Sequence, residues 1–262
     1  MESFELQSGH TMPALGLGTW ELRNQQCKTV VKQAVEMGYT HIDTAWMYAN
    51  QREIGEALKE IGAKREELFI TSKIWYTHMK RDQVLSQCDE CLDHLQTDYV
   101  DLLLIHSPNH NVPYEETLGA FKEIFDAGKA KSIGISNFDS DQVDRARNVS
   151  AVPISANQVE YNVHHNREDL LRHCTEHRIH VTAHRPLAKG GIGDERLLND
   201  IAKRHDKTAA QVAMRWLLQK GLSVIPKSGS KEHLEENLDL FDWYLSAEEM
   251  NQIDNFGEKV QT

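Results

Sequence analysis

Short apolar runs of strand length alternate with longer amphipathic stretches from one end of the chain to the other. In FELQSGHTMPAL two apolar segments flank Ser8-Gly9, a turn-forming pair, and predict a hairpin. GLGTW at 16–20 reads as the first of a series of strands. It is followed by a helical pattern over 25–37 in which Cys27, Val30, Val31 and Ala34 share one face. THIDTA at 40–45 predicts the next strand. Asn50, with Glu53 three residues on, is the expected N-cap of a helix with Ile54, Ala57, Leu58 and Ile61 in a stripe. The alternation continues through strands at 68–74, 100–106, 131–137, 155–162, 179–186 and 222–228. Each is followed by a helical pattern, the seventh by two (194–204 and 208–219), and a last helix is expected over 246–256.

Strands that alternate with helices pair in parallel, and eight such units in about 250 residues favour closure into a barrel. The expected fold is therefore α/β, a (β/α)8 TIM barrel with an N-terminal β-hairpin and extra C-terminal helices. It forms one domain over 1–262, since no linker or low-complexity tract interrupts the pattern. A doubly wound sheet is the alternative. It calls for a Gly-rich turn after the first strand, and GLGTWE lacks the third glycine of that fingerprint.

Composition narrows the function classes. A net charge of −11 repels phosphate backbones and argues against nucleic acid, without forbidding one local cationic pocket. No apolar run approaches the roughly 20 residues that span a bilayer, and residues 1–20 lack a basic, cleavable leader pattern, so a cytoplasmic protein is expected. Cys88 and Cys91 form a CxxC, but with Val84, Leu85, Leu92 and Leu95 they make one apolar helical stripe, and packing is the reading for all four cysteines. Among 14 histidines, His173 and His177 stand four apart on an expected helix; no flanking ligand motif supports a metal there.

The strand ends carry the chemistry. Asp43, Lys73, His106, Ser136-Asn137 and Lys227-Ser228 all fall at ends that a parallel barrel gathers on one face, with Gln158 inside the sixth strand. Asp43 in a buried strand needs a cation, and Lys73 on the adjacent strand supplies it. Tyr48, returned over the mouth by the short loop after Asp43, would lie beside that ammonium. The expectation is a phenol with a lowered pKa that serves as general acid, with His106 polarising a carbonyl.

The motifs GYTHIDTAWMY, ITSKIW, DLLLIHSP, SIGISNF, NQVEYN and IPKS, in this order from PALGLGTW to IPKSGSKEHLEEN, resemble the aldo-keto reductase family, in particular its small bacterial- and archaeal-type diketogluconate and glyoxal reductases. The resemblance implies reduction of an aldehyde or ketone by hydride from NADPH. Asp43, Tyr48, Lys73 and His106 become the catalytic tetrad, with Tyr48 giving the proton and serving as base in the reverse oxidation. No metal is implied. It further implies that Ser136, Asn137 and Gln158 meet the nicotinamide carboxamide and that Leu187 meets the pyrophosphate. Lys227 and Ser228 would meet the adenosine 2′-phosphate, Glu236 and Asn237 the adenine, and Thr19 belongs to the same cofactor set.

Two departures from the family pattern stand out. TAHRPL puts His184, whose charge can vary with pH, where a tyrosine often stacks on nicotinamide. His233 stands where an arginine often forks onto phosphate, which predicts NADPH use with weakened preference and NADH accepted.

Trp20, Trp75 and His106 are expected to line the substrate pocket with Tyr48. Ser107, a short KGGIGD loop and only 257–262 after the last helix predict an open, partly polar pocket. Small aldehydes, dicarbonyls and keto-sugars fit it better than steroids. The expected partner is thus a small carbonyl compound, with no nucleic acid and no membrane, and the chain is expected to be a monomer. The alternatives are an NAD(P)-binding regulatory or sensor barrel and an alcohol dehydrogenase working in the oxidative direction.

Overall fold

The computed structural model describes residues 2–260, with side chains up to residue 256. The hairpin is present: β1 (Ser3–Glu5) pairs antiparallel with β2 (Thr11–Pro13), and Gly9 takes the positive φ of 80° that its turn requires. Eight parallel strands follow: β3 (Leu17–Gly18), β4 (His41–Asp43), β5 (Phe69–Ile74), β6 (Val100–Ile105), β7 (Ala130–Ser136), β8 (Ile154–Glu160), β9 (His180–His184) and β10 (Ser223–Val224). Neighbours in the chain are neighbours in the sheet.

The first and last strands meet through short bridges, Leu15 with Val224 and Gly18 with Lys227, and this closes the cylinder. The seam is tight. A Cβ on Gly18 would lie 2.6 Å from the Ile225 carbonyl oxygen, so the residue there must be glycine for the strands to approach.

Helices α1 (Asn24–Glu36), α2 (Gln51–Glu60), α3 (Arg81–Leu95), α4 (Tyr114–Asp126), α5 (Ser140–Val149), α6 (Glu168–Glu176), α7 (Arg196–His205), α8 (Ala209–Gln219), α9 (Lys231–Leu238) and α10 (Ala247–Val260) surround the barrel. Their apolar faces and the outward strand residues make the larger core, which takes in Cys27, Cys88 and Cys174; Cys91 is buried as well. Burial pushes the Cys27 and Cys88 thiols up to about 12 and those of Cys91 and Cys174 to about 11. A second, smaller core lies inside the barrel. Leu6 and Met12 from the hairpin pack there on Phe69, Leu102, Leu104 and Ala156, plugging the end at which the strands begin.

Three local expectations are corrected. The strand expected at 222–228 is two residues long, because the chain leaves the sheet to make the seam contacts. Asn50 takes the N-cap position of α2 but its side chain does not cap the helix; it turns inward instead. The final helix runs to Val260 rather than 256, which leaves 261–262 of the expected tail, like residue 1 of the expected domain, outside the described residues. No helix among the described residues is long and apolar enough to cross a membrane.

Candidate active site

Strand register brings the first two groups together. Asp43 pairs across β4–β5 with Thr71, and Lys73 lies two residues beyond Thr71, hence on the same face. Lys73 Nζ donates to Asp43 Oδ1 at 2.5 Å, to the Thr44 carbonyl at 2.9 Å and reaches the Tyr48 hydroxyl at 3.4 Å. The three protons of the ammonium therefore have three acceptors at a residue with no solvent exposure. Gln158, on the barrel strand diametrically opposite, reaches across the axis and donates Nε2–H to Asp43 Oδ2 at 2.6 Å. Both oxygens of Asp43 thus accept from N–H donors, an arrangement that suits a carboxylate.

The loop that returns Tyr48 is held in place by backbone contacts. Tyr48 ends a single helical turn, Trp46–Tyr48, that Ala49 terminates with a φ of 52°. Asn50, buried, accepts from Thr44 Oγ1 and donates to the carbonyls of Thr19 and Leu22, while Arg23 donates to the Tyr48 carbonyl. Gln51 donates to Ser72 Oγ at 2.7 Å.

The electrostatics depart from expectation at the phenol. Burial pushes Tyr48 above its ordinary value; the Lys73 ammonium pulls against it and the Asp43 charge adds to the rise. The expected lowering is therefore reversed: desolvation of the phenolate outweighs one nearby cation. Tyr48 is held protonated at neutral pH, which suits a donor and not the resting base expected for the oxidative direction. Burial also works against the charge of Lys73, but Asp43 and Tyr48 more than offset it and the group sits above its ordinary value. Burial raises Asp43 in turn, opposed by Lys73 and by the Gln158 hydrogen bond.

Burial and the repulsion of Lys73 push His106 down to about 3, so it is a neutral imidazole. Its Nδ1 is buried without a partner among the described residues. The ring packs edgewise on Tyr48 at 5.7 Å and on Trp75 at 4.9 Å, and Trp20 stands 5.0 Å from Tyr48. The aromatic wall of the sequence reading is thus assembled around one hydroxyl.

The residues expected at the cofactor fall into two groups. At the mouth, Ser136 Oγ donates to the Gln158 carbonyl at 2.8 Å, and Asn137 Nδ2 donates to the His106 carbonyl at 2.9 Å. Asn137 Oδ1 lies 3.0 Å from His184 Nε2. His184 is pushed down to about 4, mainly by burial, so its charge does not vary around neutrality as expected from the sequence. Thr19 is fully buried and spends its hydroxyl on the Asp43 carbonyl at 2.8 Å.

Farther out, Leu187, Lys227, His233, Glu236 and Asn237 line a cleft of about 500 Å³. Ser228 is apart from them: it is buried and donates within its own turn to the Ser230 carbonyl at 2.9 Å. Lys203 and Lys207 join the cleft wall. Nothing in the sequence marked them, since charges on outer helices are ordinary. Three lysines thus stand around one cleft, Lys207 paired with Asp239 at 2.7 Å and Lys203 with Asp200 at 3.5 Å. Arg185, exposed beside His184 and paired with Glu160 at 2.7 Å, is a further cation near the mouth that sequence reasoning passed over.

A closed parallel barrel with a buried acid, ammonium and phenol at its mouth, a neutral imidazole beside the phenol and a lysine-bearing cleft alongside is the frame of an oxidoreductase acting on carbonyl groups. The chain belongs to the aldo/keto reductase family, whose model matches residues 14–258. It is 37% identical over 262 residues to glyoxal reductase of Bacillus subtilis (strain 168), covering 99% of this chain and 95% of that protein. It is 38% identical over 252 residues to methylglyoxal reductase DkgA of Escherichia coli (strain K12), covering 95% and 91%. A thermostable aldo-keto reductase solved with the inhibitor epalrestat superposes with a TM-score of 0.94 at 41% identity, covering 98% of this chain and 100% of that one. Members of the family generally use a nicotinamide nucleotide.

Proposed function

We propose that the chain reduces small aldehydes and ketones, dicarbonyls and keto-sugars foremost, with NADPH as hydride source and Tyr48 as proton donor. The observation that carries this reading is the Tyr48 hydroxyl 3.4 Å from a lysine ammonium that Asp43 holds at 2.5 Å, with neutral His106 against the phenol ring. A reduced nicotinamide, when bound, supplies the hydride to the carbonyl carbon. Tyr48 gives its proton to the carbonyl oxygen, and Lys73 stabilises the phenolate left behind. His106 polarises the same oxygen. Trp20 and Trp75 exclude water from one side of the reacting carbonyl.

Ser136, Asn137 and Gln158 would orient the nicotinamide amide and His184 would border it, while Thr19, fully buried on the Asp43 carbonyl, supports the strand end behind them. Leu187 meets the pyrophosphate through its backbone. Lys227, with His233, would receive the 2′-phosphate, while Glu236 and Asn237 would face the adenine; Ser228, buried in its own turn, supports the loop that carries Lys227. A histidine cannot reproduce an arginine fork on phosphate, so the preference for NADPH over NADH is modest. The relatives that carry the names glyoxal reductase and methylglyoxal reductase support the dicarbonyl class. The setting is the cytosol, and the working unit is the monomer, one domain over the whole chain.

The test is NADPH oxidation against a panel of small aldehydes, dicarbonyls and keto-sugars. Tyr48→Phe is expected to lose about 10²–10⁴-fold in kcat while still binding NADPH. A normal rate in that variant removes Tyr48 from the mechanism. Repeating the panel with NADH, and with His233→Arg, measures the preference; the arginine is expected to raise it. Catalytic efficiency with NADH equal to or above that with NADPH overturns the cofactor assignment. Cofactor binding without turnover of any carbonyl favours the sensor reading.

A further inference from the structure

His173 in the last turn of α6 and His177, the residue that caps its end, lie side by side, and the neighbouring helix α5 sets Asp144 opposite them. His173 Nε2 lies 3.1 Å from Asp144 Oδ1, and His177 Nε2 lies 3.7 Å from the same oxygen. The two rings stand edge to face, 4.7 Å apart, and the three ligand atoms all lie within 4.8 Å of one another. We propose that Asp144, His173 and His177 form a binding site for a divalent transition-metal ion, zinc by preference, that joins α5 to α6 on the outside of the barrel.

The spacing is right for such an ion. Zinc with nitrogen and oxygen ligands at about 2.0–2.2 Å in a tetrahedral shell holds neighbouring ligand atoms about 3.3 Å apart. The two measured edges straddle that value, and small side-chain rotations close the third. Two imidazoles and one carboxylate select zinc, nickel, cobalt or copper over magnesium or calcium, which prefer oxygen ligands alone. All three side chains are partly exposed, at 45% for Asp144, 21% for His173 and 31% for His177, so the ion has an entry path and a water can complete the shell. Arg147 pairs with Asp144 at 3.2 Å and is a cation that the ion must displace; its side chain is itself one-third exposed. Cys174, next to His173, turns into the core, is fully buried and takes no part.

The position says what the ion does. His177 follows the end of α6, and β9 begins three residues later at His180, so the site lies toward the end where strands start, away from Tyr48. The His177 carbonyl accepts from Gln7 Nε2 at 2.7 Å, and Gln7 belongs to the hairpin segment that plugs that end. An ion there ties α5, α6 and the plug together. It is a staple for the fold, remote from the reacting carbonyl.

The experiment uses the full chain, freed of metal by chelator dialysis, and zinc ion alone as the probe. One ion per chain is expected to bind in competition with a chromophoric chelator. The thermal midpoint is expected to rise by about 5–10 °C at a free zinc concentration of 100 times Kd. Cobalt in its place is expected to give the visible absorption of a four-coordinate N/O site. Neither ion is expected to alter carbonyl reduction. The double variant His173→Ala/His177→Ala is expected to weaken zinc at least about 100-fold, and Arg147→Ala to tighten it. Saturable binding that survives unchanged in the double variant places the ion on other histidines and overturns the proposal, as does the absence of saturable binding in the unsubstituted chain.

Discussion

Asp43 and Lys73 allow the sharpest test of how this barrel mouth is held together. The two side chains are 1% and 0% exposed, and each has only buried partners to replace water. Asp43→Asn leaves the ammonium with the Thr44 carbonyl and the Tyr48 hydroxyl but no counter-charge. Lys73→Met leaves the carboxylate with Gln158 alone. Removing one member of such a pair typically costs about 3–5 kcal/mol, because a charge stays behind in a dry site, whereas replacing both by uncharged groups is close to neutral. The double variant should therefore be more stable than the sum of the single losses predicts, by at least about 6 kcal/mol, as read from urea midpoints at pH 7.

Asp43→Asn also has a pH signature. With Asp43 gone, burial, the largest influence on Lys73, is opposed by Tyr48 without the carboxylate and should lower the folded-state pKa of Lys73 below its unfolded value. A depressed group contributes stability above its unfolded pKa and loses it as pH falls, so the variant should recover relative to the unsubstituted protein between pH 7 and 10. Single losses that add within about 0.5 kcal/mol would show that the two charges do not need each other and would refute the buried-pair account.

Further outcomes follow from the same contacts. Gln158→Leu strips Asp43 Oδ2 of its donor across the barrel; about 1.5–3 kcal/mol of stability should go with the charged hydrogen bond, and Lys73→Met in that background should cost more than it does alone. A urea titration gives both numbers, and a loss below about 0.5 kcal/mol for Gln158→Leu would remove it from the pair's support. Burial pushes His41 and His106 down to about 3 and His180 and His184 to about 4. Their folded pKa values lie below the unfolded one near 6.5, so they contribute stability above that pH that is lost as pH falls toward 4, by up to about 1.4 kcal/mol per pH unit for each histidine. Urea midpoints that stay flat from pH 7 to 5 would contradict this. Gly18→Ala drives a methyl to 2.6 Å from the Ile225 carbonyl oxygen at the barrel seam, and a fall in thermal midpoint corresponding to about 1–3 kcal/mol is expected.

The barrel was legible because its signal is periodic and repeated: apolar runs at 68–74 and 100–106 appear as β5 and β6 with their ends moved by one residue. That Asp43, Lys73, Tyr48 and His106 meet at the mouth was legible because polar residues at strand ends are conspicuous against apolar strands. What could not be read were contacts set by direction across the barrel. Gln158 was assigned to a nicotinamide amide, yet it also spans the axis to Asp43, a neighbour 115 residues away. Asn50 looked like a helix cap, because the sequence shows a cap's spacing but not that three backbone and hydroxyl partners converge on the other side of it. The sign at Tyr48 was misread for a related reason: the cation beside it was visible in the motif, but the depth of its burial was not.

That reversed sign bears on direction. In the proposed reaction a phenol raised by burial is reluctant to lose its proton to water, so it does not leak charge in the resting site. The developing negative charge on the carbonyl oxygen is what draws the proton out, and the phenolate then forms 3.4 Å from a lysine whose other contacts are already fixed. Lys73 needs no rearrangement to meet it, because Asp43, Thr44 and Gln158 have positioned the ammonium beforehand. The stabilisation is therefore larger after proton transfer has begun than before it, which is the condition for an interaction to speed the step and not merely to bind the substrate. The same arrangement makes Tyr48 a poor resting base. Oxidation of an alcohol by this site should consequently need alkaline pH to become appreciable, while reduction proceeds with the phenol in the form that neutral pH already provides.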